Sequence, residues 1–513
     1  MNIRVIPRLD IKGPNLVKGV HLEGLRVLGK PEDFAHKYYM NGADELIYMD
    51  LVASLYGRSN LREIVSRTAS NIFIPLTVGG GIRSVDDIRE LLRAGADKVA
   101  INTALFEKPE LITEGAKTFG SQCIVLSIEA KRLPDGTYTC LHTNARENSG
   151  REVVEWVREA VDRGAGEILL TSEDNEGTGQ GYDLELLEMV SAAVNIPVIA
   201  SGGAGNLDHL VAGAKAIGTG AISAASMFHY NRLEELKDTG RFASEGNTSF
   251  IEQSRTRTIA YLEGKITCHS VSDAKDALVA SGCRCRMDRP TEALRCNTTA
   301  PQKVVVVDYG IGNLFNLSRA IRCLTGVEPL VTDDRDAIDK ADKVILPGVG
   351  AFGDGMRNLR ERGLVEVLQR RGRENRPTLG ICLGMQLLLS KSREFGEHEG
   401  LGLIPGSVEH MFDGEPNGEV PVPHIGWAGL ESDGRDWTGT EFKDISEGAS
   451  AYFVHTYVAR PDDEAHVLSV TNYGPARFVS AVRRGNICGC QFHPELSGPD
   501  GLSILKAFIE KEK

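Results

Sequence analysis

No run of about 18 apolar residues occurs in the 513-residue sequence, so no segment is fit to cross a bilayer as a helix. The first residues, Met1 to Asp10, lack a charged-then-apolar leader with a cleavage site and read as a strand, so a cytoplasmic chain is expected. Cysteine is too sparse for a disulfide scaffold: ten are spread irregularly, the pattern of reduced structural thiols. Positive charge is also short. With 58 Lys and Arg against 71 Asp and Glu, no general nucleic-acid or anionic-membrane surface is expected, although local anion sites stay open. Hydrophobic residues at 41% and charged residues at 25% exclude wholesale disorder and a coiled coil. The length calls for roughly two to four domains.

What is present is repetition. Gly42-Ala43-Asp44-Glu45, Gly95-Ala96-Asp97-Lys98, Gly164-Ala165-Gly166-Glu167 and Gly213-Ala214-Lys215 each lie between an amphipathic helix pattern and a β-branched run. Each reads as a helix C-terminal glycine leading into a strand. The first and third, and the second and fourth, are about 120 residues apart, as are Pro75 to Gly81 and Pro197 to Gly203. Eight strands are predicted: Val5 to Ile11, Glu45 to Val52, Ile74 to Val78, Val99 to Asn102, Ile124 to Glu129, Ile168 to Ser172, Val198 to Ser201 and Ala216 to Ala221. Strand and helix alternating eight times over about 250 residues favour a (β/α)8 TIM barrel of two fused halves, with an open doubly wound sheet as the alternative.

Barrel chemistry sits on the loops after the strands. Gly79, Gly80 and Gly81 follow strand three, Asn102 and Thr103 end strand four, Gly202 and Gly203 follow strand seven, and Ala225 and Ser226 follow strand eight. Such turns bind phosphate through unpaired amides, so two matched cradles imply a ligand with phosphate at both ends. The plainer reading is that the glycines only permit tight turns. Asp10, with Lys18 in the loop behind it, and Glu129 are duplicates across the mouth, a carboxylate pair suited to general acid and base work. The competing reading pairs them with Lys12, Lys18, Lys131 or Arg132. Asp50 and Asp174, also at strand ends, are lesser candidates, and Ser172 and Gly177 complete the substrate-binding set. No metal-ligand spacing of His or Cys appears in this half, and neither a metal nor a cofactor is expected.

After Tyr230 the pattern loosens at Gly240, Gly246 and Asn247, and Thr256 to Leu262 offers a last helix, so the barrel is assigned residues 1–270. Residues 271–302 carry a short helical pattern and read as an interdomain linker. Its Cys283, Cys285 and Cys296 could ligate zinc, but the paired two-residue spacing and histidines of such sites are missing. A second α/β unit, 303–513, opens with strands Val304 to Val307, Val344 to Leu346 and Thr378 to Ile381, each leading into a helix, as in a doubly wound sheet. The third runs into Gly380-Ile381-Cys382-Leu383-Gly384, a nucleophile elbow with a thiol whose place at a helix N-terminus favours the thiolate. Gln491-Phe492-His493-Pro494-Glu495 supplies the base and its orienting carboxylate, giving a Cys382, His493, Glu495 triad. Pro347-Gly348-Val349-Gly350 can turn a backbone amide toward an oxyanion.

Gly380 to Gln386, Tyr452-Phe453-Val454-His455 and Gln491 to Glu495 resemble class I glutamine amidotransferase domains. Asp308 to Asn313, Pro347 to Phe352 and Pro423 to Trp427 look like the glutaminase subunit of imidazole glycerol phosphate synthases. Val78 to Arg83, Asp97 to Val99, Ile101 to Thr103 and Ser201 to Asn206 resemble that family's cyclase subunit. The resemblance implies glutamine hydrolysis at Cys382 and intramolecular passage of ammonia into the barrel. There it would act on a bisphosphorylated ribulosyl-formimino aminoimidazole ribonucleotide, giving imidazole glycerol phosphate and aminoimidazole carboxamide ribonucleotide. It also implies that Asp10 and Glu129 are the acid/base pair, that Lys18 closes over the substrate, and that Gln386, Glu394 and Tyr457, with Thr456 beside it, contact glutamine. Gly348, Val349 and Gly350 take the oxyanion position, and Arg4, Glu45, Lys98 and Glu167, all at strand starts, resemble the family's ring of charges at the ammonia entrance.

The chain departs from the family pattern at several places. Glu129 stands for Asp, Arg8 for a small residue, Ala428 for Asn and Leu496 for Lys, and the glutaminase follows the cyclase rather than preceding it. These departures motivate two other readings: a paralogous amidotransferase acting on a nucleotide-linked sugar or secondary metabolite, and a phosphate-binding regulatory scaffold without cyclisation.

Overall fold

The computed structural model describes residues 2–21, 23–51, 61–218, 220–237, 265–290, 303–412 and 420–511. They divide into two compact units, one of Asn2–Thr113 with Ile124–Arg289, the other of Pro290–Lys513 with Glu114–Cys123.

In the first unit the apolar runs become short strands. β1 (Arg4–Lys12) leads into a hairpin, β2 (Asn15–Val20) and β3 (Glu23–Gly29), and β4 (Leu46–Asp50), β5 (Leu76–Gly79) and β6 (Lys98–Ile101) follow. The second half repeats the plan: β7 (Ile124–Arg132), its hairpin β8 (Tyr138–His142) and β9 (Glu147–Glu152), then β10 (Glu167–Ser172), β11 (Val198–Ser201) and β12 (Gly220–Ala224). β1 pairs in parallel with β4 and β12, and β7 with β6 and β10, so eight strands close into a barrel. The hairpins extend β1 and β7 beyond it, Asp10 facing Val17 and Glu129 facing Leu141.

Local chemistry sets the outer helices. Ser84 and Asn206, at equivalent points of the two halves, cap Val85–Arg93 and Leu207–Ile217 by accepting from Asp87 N–H and His209 N–H. Gly42, Gly95 and Gly164 follow their helices at φ of 85°, 112° and 109°, the left-handed stop anticipated for them. The fourth repeat is different. Gly213 lies inside Leu207–Ile217, where a Cβ would sit 2.5 Å from the Tyr182 ring, and Gly218 ends that helix, so the last strand is Gly220–Ala224 rather than Ala216 to Ala221. Gly213 is thus a close-packing residue.

The assignment of 271–302 to a linker is also revised. Val271–Ala280 is a helix with a Ser270/Asp273 capping box, Lys275 and Arg286 both reach Asp44, and Ile3 N–H donates to Arg284 at 2.7 Å. The barrel unit therefore runs to Arg289. The expected helix Thr256 to Leu262, the breakers Gly240, Gly246 and Asn247, and Cys296 lie outside the described residues. Among the described residues no helix is long and apolar enough to cross a membrane, and no cluster of His, Cys, Asp or Glu fit to hold a metal is found.

The second unit is an open sheet. Leu330–Thr332, Val304–Val307, Lys343–Leu346, Thr378–Ile381 and Ile487–Cys490 run parallel in that spatial order, and Ala476–Arg484, Tyr457–Pro461 and Ile404–His410 continue it antiparallel. The doubly wound parallel portion was expected, and the antiparallel half was not. Its core joins Val305, Ile338, Val344, Phe352 and Leu368 from strands and flanking helices.

Candidate active sites

Alternation along the strands sorts the barrel interior into layers, because every second side chain points inward. On β1 these are Arg4, Ile6, Arg8 and Asp10. Ile6, Ile47, Ala100, Val125, Leu169 and Ile199 form one apolar layer. One step toward the strand starts lies a layer of charge, and one step toward the strand ends a polar mouth.

The charged layer is a closed ring. Arg4 Nη1 donates to Glu45 Oε1 at 2.7 Å and Nη2 to Glu167 Oε1 at 2.6 Å, while Lys98 Nζ meets Glu45 Oε2 at 2.7 Å and Glu167 Oε2 at 2.6 Å. All four side chains are at most 1% exposed. Burial alone would raise the Glu45 pKa, but the charges and hydrogen bonds of Arg4 and Lys98 hold it below its ordinary value. Removing one member strands the others in low dielectric. Lys98→Met is expected to cost about 3–5 kcal/mol, read as a lower unfolding midpoint of the full chain, and the neutral pair Lys98→Met with Glu45→Gln should cost less. Equal midpoints for Lys98→Met and wild type would contradict a coupled ring.

At the mouth, the Asp10 carboxylate accepts from Arg8 Nε at 2.8 Å and has Lys18 Nζ at 3.7 Å. Lys18 also pairs with Glu176. Glu129 accepts from the Ala145 amide at 2.7 Å. Burial pushes its pKa up to about 7, against the Ala145 amide and Arg8, which lower it, and with Asp10 and Glu173, which raise it. Of the proposed competitors for the carboxylates, Lys131 goes to Glu173 and Arg132 to Glu185, while Lys18 does reach Asp10. Two carboxylates in one mouth with different partners can divide proton donation from acceptance.

The two glycine cradles are unequal. A cavity of ≈ 620 Å³ is lined by Asp50, Gly80, Gly81, Asn102, Thr103 and Glu129. The duplicate recess, lined by Lys18, Gly177, Gly202, Gly203, Ala225 and Ser226, holds only ≈ 10 Å³, because Arg8 and the Lys18–Glu176 pair fill it. Among the described residues the backbone amides of Gly80, Gly81, Gly202 and Gly203 donate no hydrogen bond. A Cβ on Gly80 would lie 2.4 Å from Asp50 O and one on Gly203 2.0 Å from Gly181 O, so tight packing and unpaired donors coexist. Asn102 and Thr103 are tied to the second hairpin, Asn102 Nδ2 donating to Leu141 O and Thr103 Oγ1 accepting from Thr143 N–H. Ser172 is buried at the end of β10. Asp174 is exposed and accepts from Arg132 N–H, so Glu176, absent from the sequence reading, is the carboxylate of that loop that reaches Lys18.

In the second unit, Cys382 sits between Thr378–Ile381 and the short helix Leu383–Leu387 at φ 53° and ψ −111°, a left-handed conformation uncommon for a side chain. The elbow closes only over glycine: a Cβ on Gly384 would fall 1.7 Å from Leu346 O. His493 Nδ1 lies 2.8 Å from Glu495 Oε1, and both side chains are buried. Burial lowers the His493 pKa, but the Glu495 and Cys382 charges outweigh it and hold it well above its ordinary value.

Gln491, quoted in the motif but given no role, donates through Nε2 to Cys382 Sγ at 3.7 Å. Its orientation is fixed by Gln386, whose Nε2 donates both to Tyr457 O and to Gln491 Oε1. Glu394 accepts from Phe352 N–H at 2.6 Å, and burial pushes its pKa up to about 7. Thr456 O accepts from Met411 N–H. The Gly348–Gly350 loop differs from expectation. Leu383 N–H donates to Gly348 O at 3.3 Å, so a carbonyl, not an amide, of this loop faces the donor that follows the nucleophile. Val349 follows that carbonyl, and Gly350 takes φ 127°.

Residues 4–234 match the model of the histidine biosynthesis protein family, and residues 305–511 that of class-I glutamine amidotransferases. The chain is 65% identical over 207 residues to the imidazole glycerol phosphate synthase subunit HisF of Legionella pneumophila, covering 40% of the chain and 98% of that protein. It is 49% identical over 233 residues to the HisF subunit of Gluconacetobacter diazotrophicus (45% of the chain, 90% of the relative). Over 243 residues it is 49% identical to that of Streptomyces avermitilis (47% and 96%).

Proposed function

The chain belongs to the family of imidazole glycerol phosphate synthase HisF subunits of histidine biosynthesis, with a class I glutamine amidotransferase unit fused behind it, and from that membership we propose how its residues divide the work. In the amidotransferase unit the Cys382 thiolate attacks the glutamine side-chain amide carbon. His493, oriented by Glu495, carries the thiol proton to the leaving nitrogen, which departs as ammonia. Water then releases glutamate from the thioester. Gln386, Glu394, Thr456 and Tyr457 hold glutamine, and a bound ammonium group would draw Glu394 to its ionised form.

The ammonia passes within the chain to the barrel, where Arg4, Glu45, Lys98 and Glu167 guard its entrance. It reacts there with the bisphosphate phosphoribulosyl-formimino-aminoimidazole carboxamide ribonucleotide. Gly80, Gly81, Asn102 and Thr103 take one phosphate, and Gly202, Gly203, Ala225 and Ser226 the other. Asp50, Ser172, Asp174 and Gly177 border the ligand. Asp10 accepts and Glu129 donates protons, and Lys18 closes over the mouth. The reaction takes place in the cytoplasm.

The observation that carries this reading is the pair of carboxylates at equivalent strand–hairpin junctions, Asp10 opposite Val17 and Glu129 opposite Leu141, between two glycine cradles. Its test follows from Gly348. While that carbonyl occupies Leu383 N–H, the tetrahedral oxyanion lacks a donor worth about 10²-fold in rate. Glutamate release at saturating glutamine should therefore rise about 10²-fold when the bisphosphate is added. Identical rates with and without it would contradict the coupling.

A further inference from the structure

Arg8 takes no part in the scheme above, yet it sits in the middle of it. Alternation along β1 turns its side chain into the polar layer of the mouth, where it is 4% exposed. Burying a guanidinium is costly unless its hydrogen bonds are met, and this layer is otherwise built with side chains as small as Ser127, Thr171 and Ser201. Arg8 Nε donates to Asp10 Oδ1 at 2.8 Å, while Nη1 reaches Thr171 Oγ1 at 3.1 Å and Ser201 Oγ at 3.4 Å. The planar group thus leaves β1, crosses the lumen and is pinned on β10 and β11. Asp10 Oδ2 is left turned toward Lys18, which is shared with Glu176.

We infer that Arg8 is a positioning residue for cyclisation: anchored on three strands, its guanidinium holds the Asp10 carboxylate in one orientation and sets the charge balance between Asp10 and Glu129. The inference rests on the proposed roles of those two carboxylates. Without Arg8, among the described residues Asp10 keeps a lysine at 3.7 Å that is already engaged by Glu176, and its carboxyl is less firmly held. A displacement of about 1 Å at a proton-transfer group costs about 10²-fold. Glu129 responds in the same sense. It faces Arg8 and the Ala145 amide, which lower its pKa, and Asp10 and Glu173, which raise it, so losing Arg8 moves its titration to higher pH. Lysine cannot replace the fork, since one ammonium cannot reach Asp10, Thr171 and Ser201 together.

The experiment uses the full chain with the bisphosphate and ammonium salts adjusted to constant free ammonia, comparing wild type, Arg8→Ala and Arg8→Lys over a pH series. Arg8→Ala should lower kcat about 10²-fold with a smaller change in KM. Its alkaline limb should move to higher pH, and added guanidinium ion should restore part of the rate. Arg8→Lys, which keeps the charge in the mouth and guards against loss of fold, should stay below wild type and gain nothing from guanidinium. Wild-type kcat and pH profile in both variants would overturn the inference. So would a loss in Arg8→Ala that leaves the limb in place and resists guanidinium, the mark of a merely structural residue. A wild-type chain that consumes no bisphosphate at all would instead fail the functional reading, and this inference with it.

Discussion

Cys382→Ala should abolish glutamine-dependent turnover, by about 10⁴-fold or more, while leaving turnover supported by ammonium salts at the wild-type rate. The size follows from the site. Without the sulfur, nothing else on the elbow between Thr378–Ile381 and Leu383–Leu387 can form the thioester, and the imidazole of His493 loses both the proton it takes and the anion that keeps it charged. The selectivity follows from the proposed division of labour, since Asp10, Glu129 and both glycine cradles belong to the barrel unit. Steady-state assays with glutamine and with ammonium chloride at alkaline pH, where free ammonia is abundant, check both halves of the statement. Parallel loss of the two activities would falsify it.

Asp10→Asn and Glu129→Gln should each do the reverse, lowering ammonia-dependent cyclisation by about 10²- to 10⁴-fold. Glutamate release measured without the bisphosphate should persist. Glu129 adds a pH signature. A proton donor with a pKa of about 7 is loaded below that pH and empty above it, so wild-type cyclisation at constant free ammonia should decline as pH rises through about 7. The limb should vanish in Glu129→Gln. Stability carries the same sign. Because the folded pKa lies above the ordinary carboxyl value, the protonated form is favoured by the fold. The contribution is complete at pH below about 4.5 and is lost as pH rises through about 7, so Glu129→Gln should melt higher than wild type in alkaline buffer. A limb that survives in Glu129→Gln would assign the proton to another group.

Much of this was legible in the residue order because the relevant signals are local. Strand–helix alternation, left-handed glycines after helices, the Gly-Ile-Cys-Leu-Gly elbow and His-Pro-Glu are each contained in a few consecutive residues. What escaped depends on contacts between distant positions. Lys18 meets Glu176, Arg8 meets Thr171 and Ser201, and Lys275 meets Asp44, each pair more than 150 residues apart in the chain. No periodicity encodes such meetings. The helix Val271–Ala280 was read as linker because what marks it as part of the barrel unit is its anchoring on Asp44, not its composition. Gly213 misled because a glycine facing the Tyr182 ring looks, in sequence, like a glycine that stops a helix. Gln491 carried a signal that could have been used: a carboxamide two residues before the histidine of a triad is a donor within reach of the nucleophile.

The four charges across the barrel interior have one more consequence. Two guanidinium or ammonium groups and two carboxylates sum to zero, and each carboxylate oxygen already has its own cation. A metal ion, a hydronium or an ammonium arriving there finds no vacant ligand and no net field to draw it in. An uncharged amine can slip between one donor and one acceptor at a time. On the proposed reading, such a neutral, fully paired layer would favour an uncharged amine over any ion.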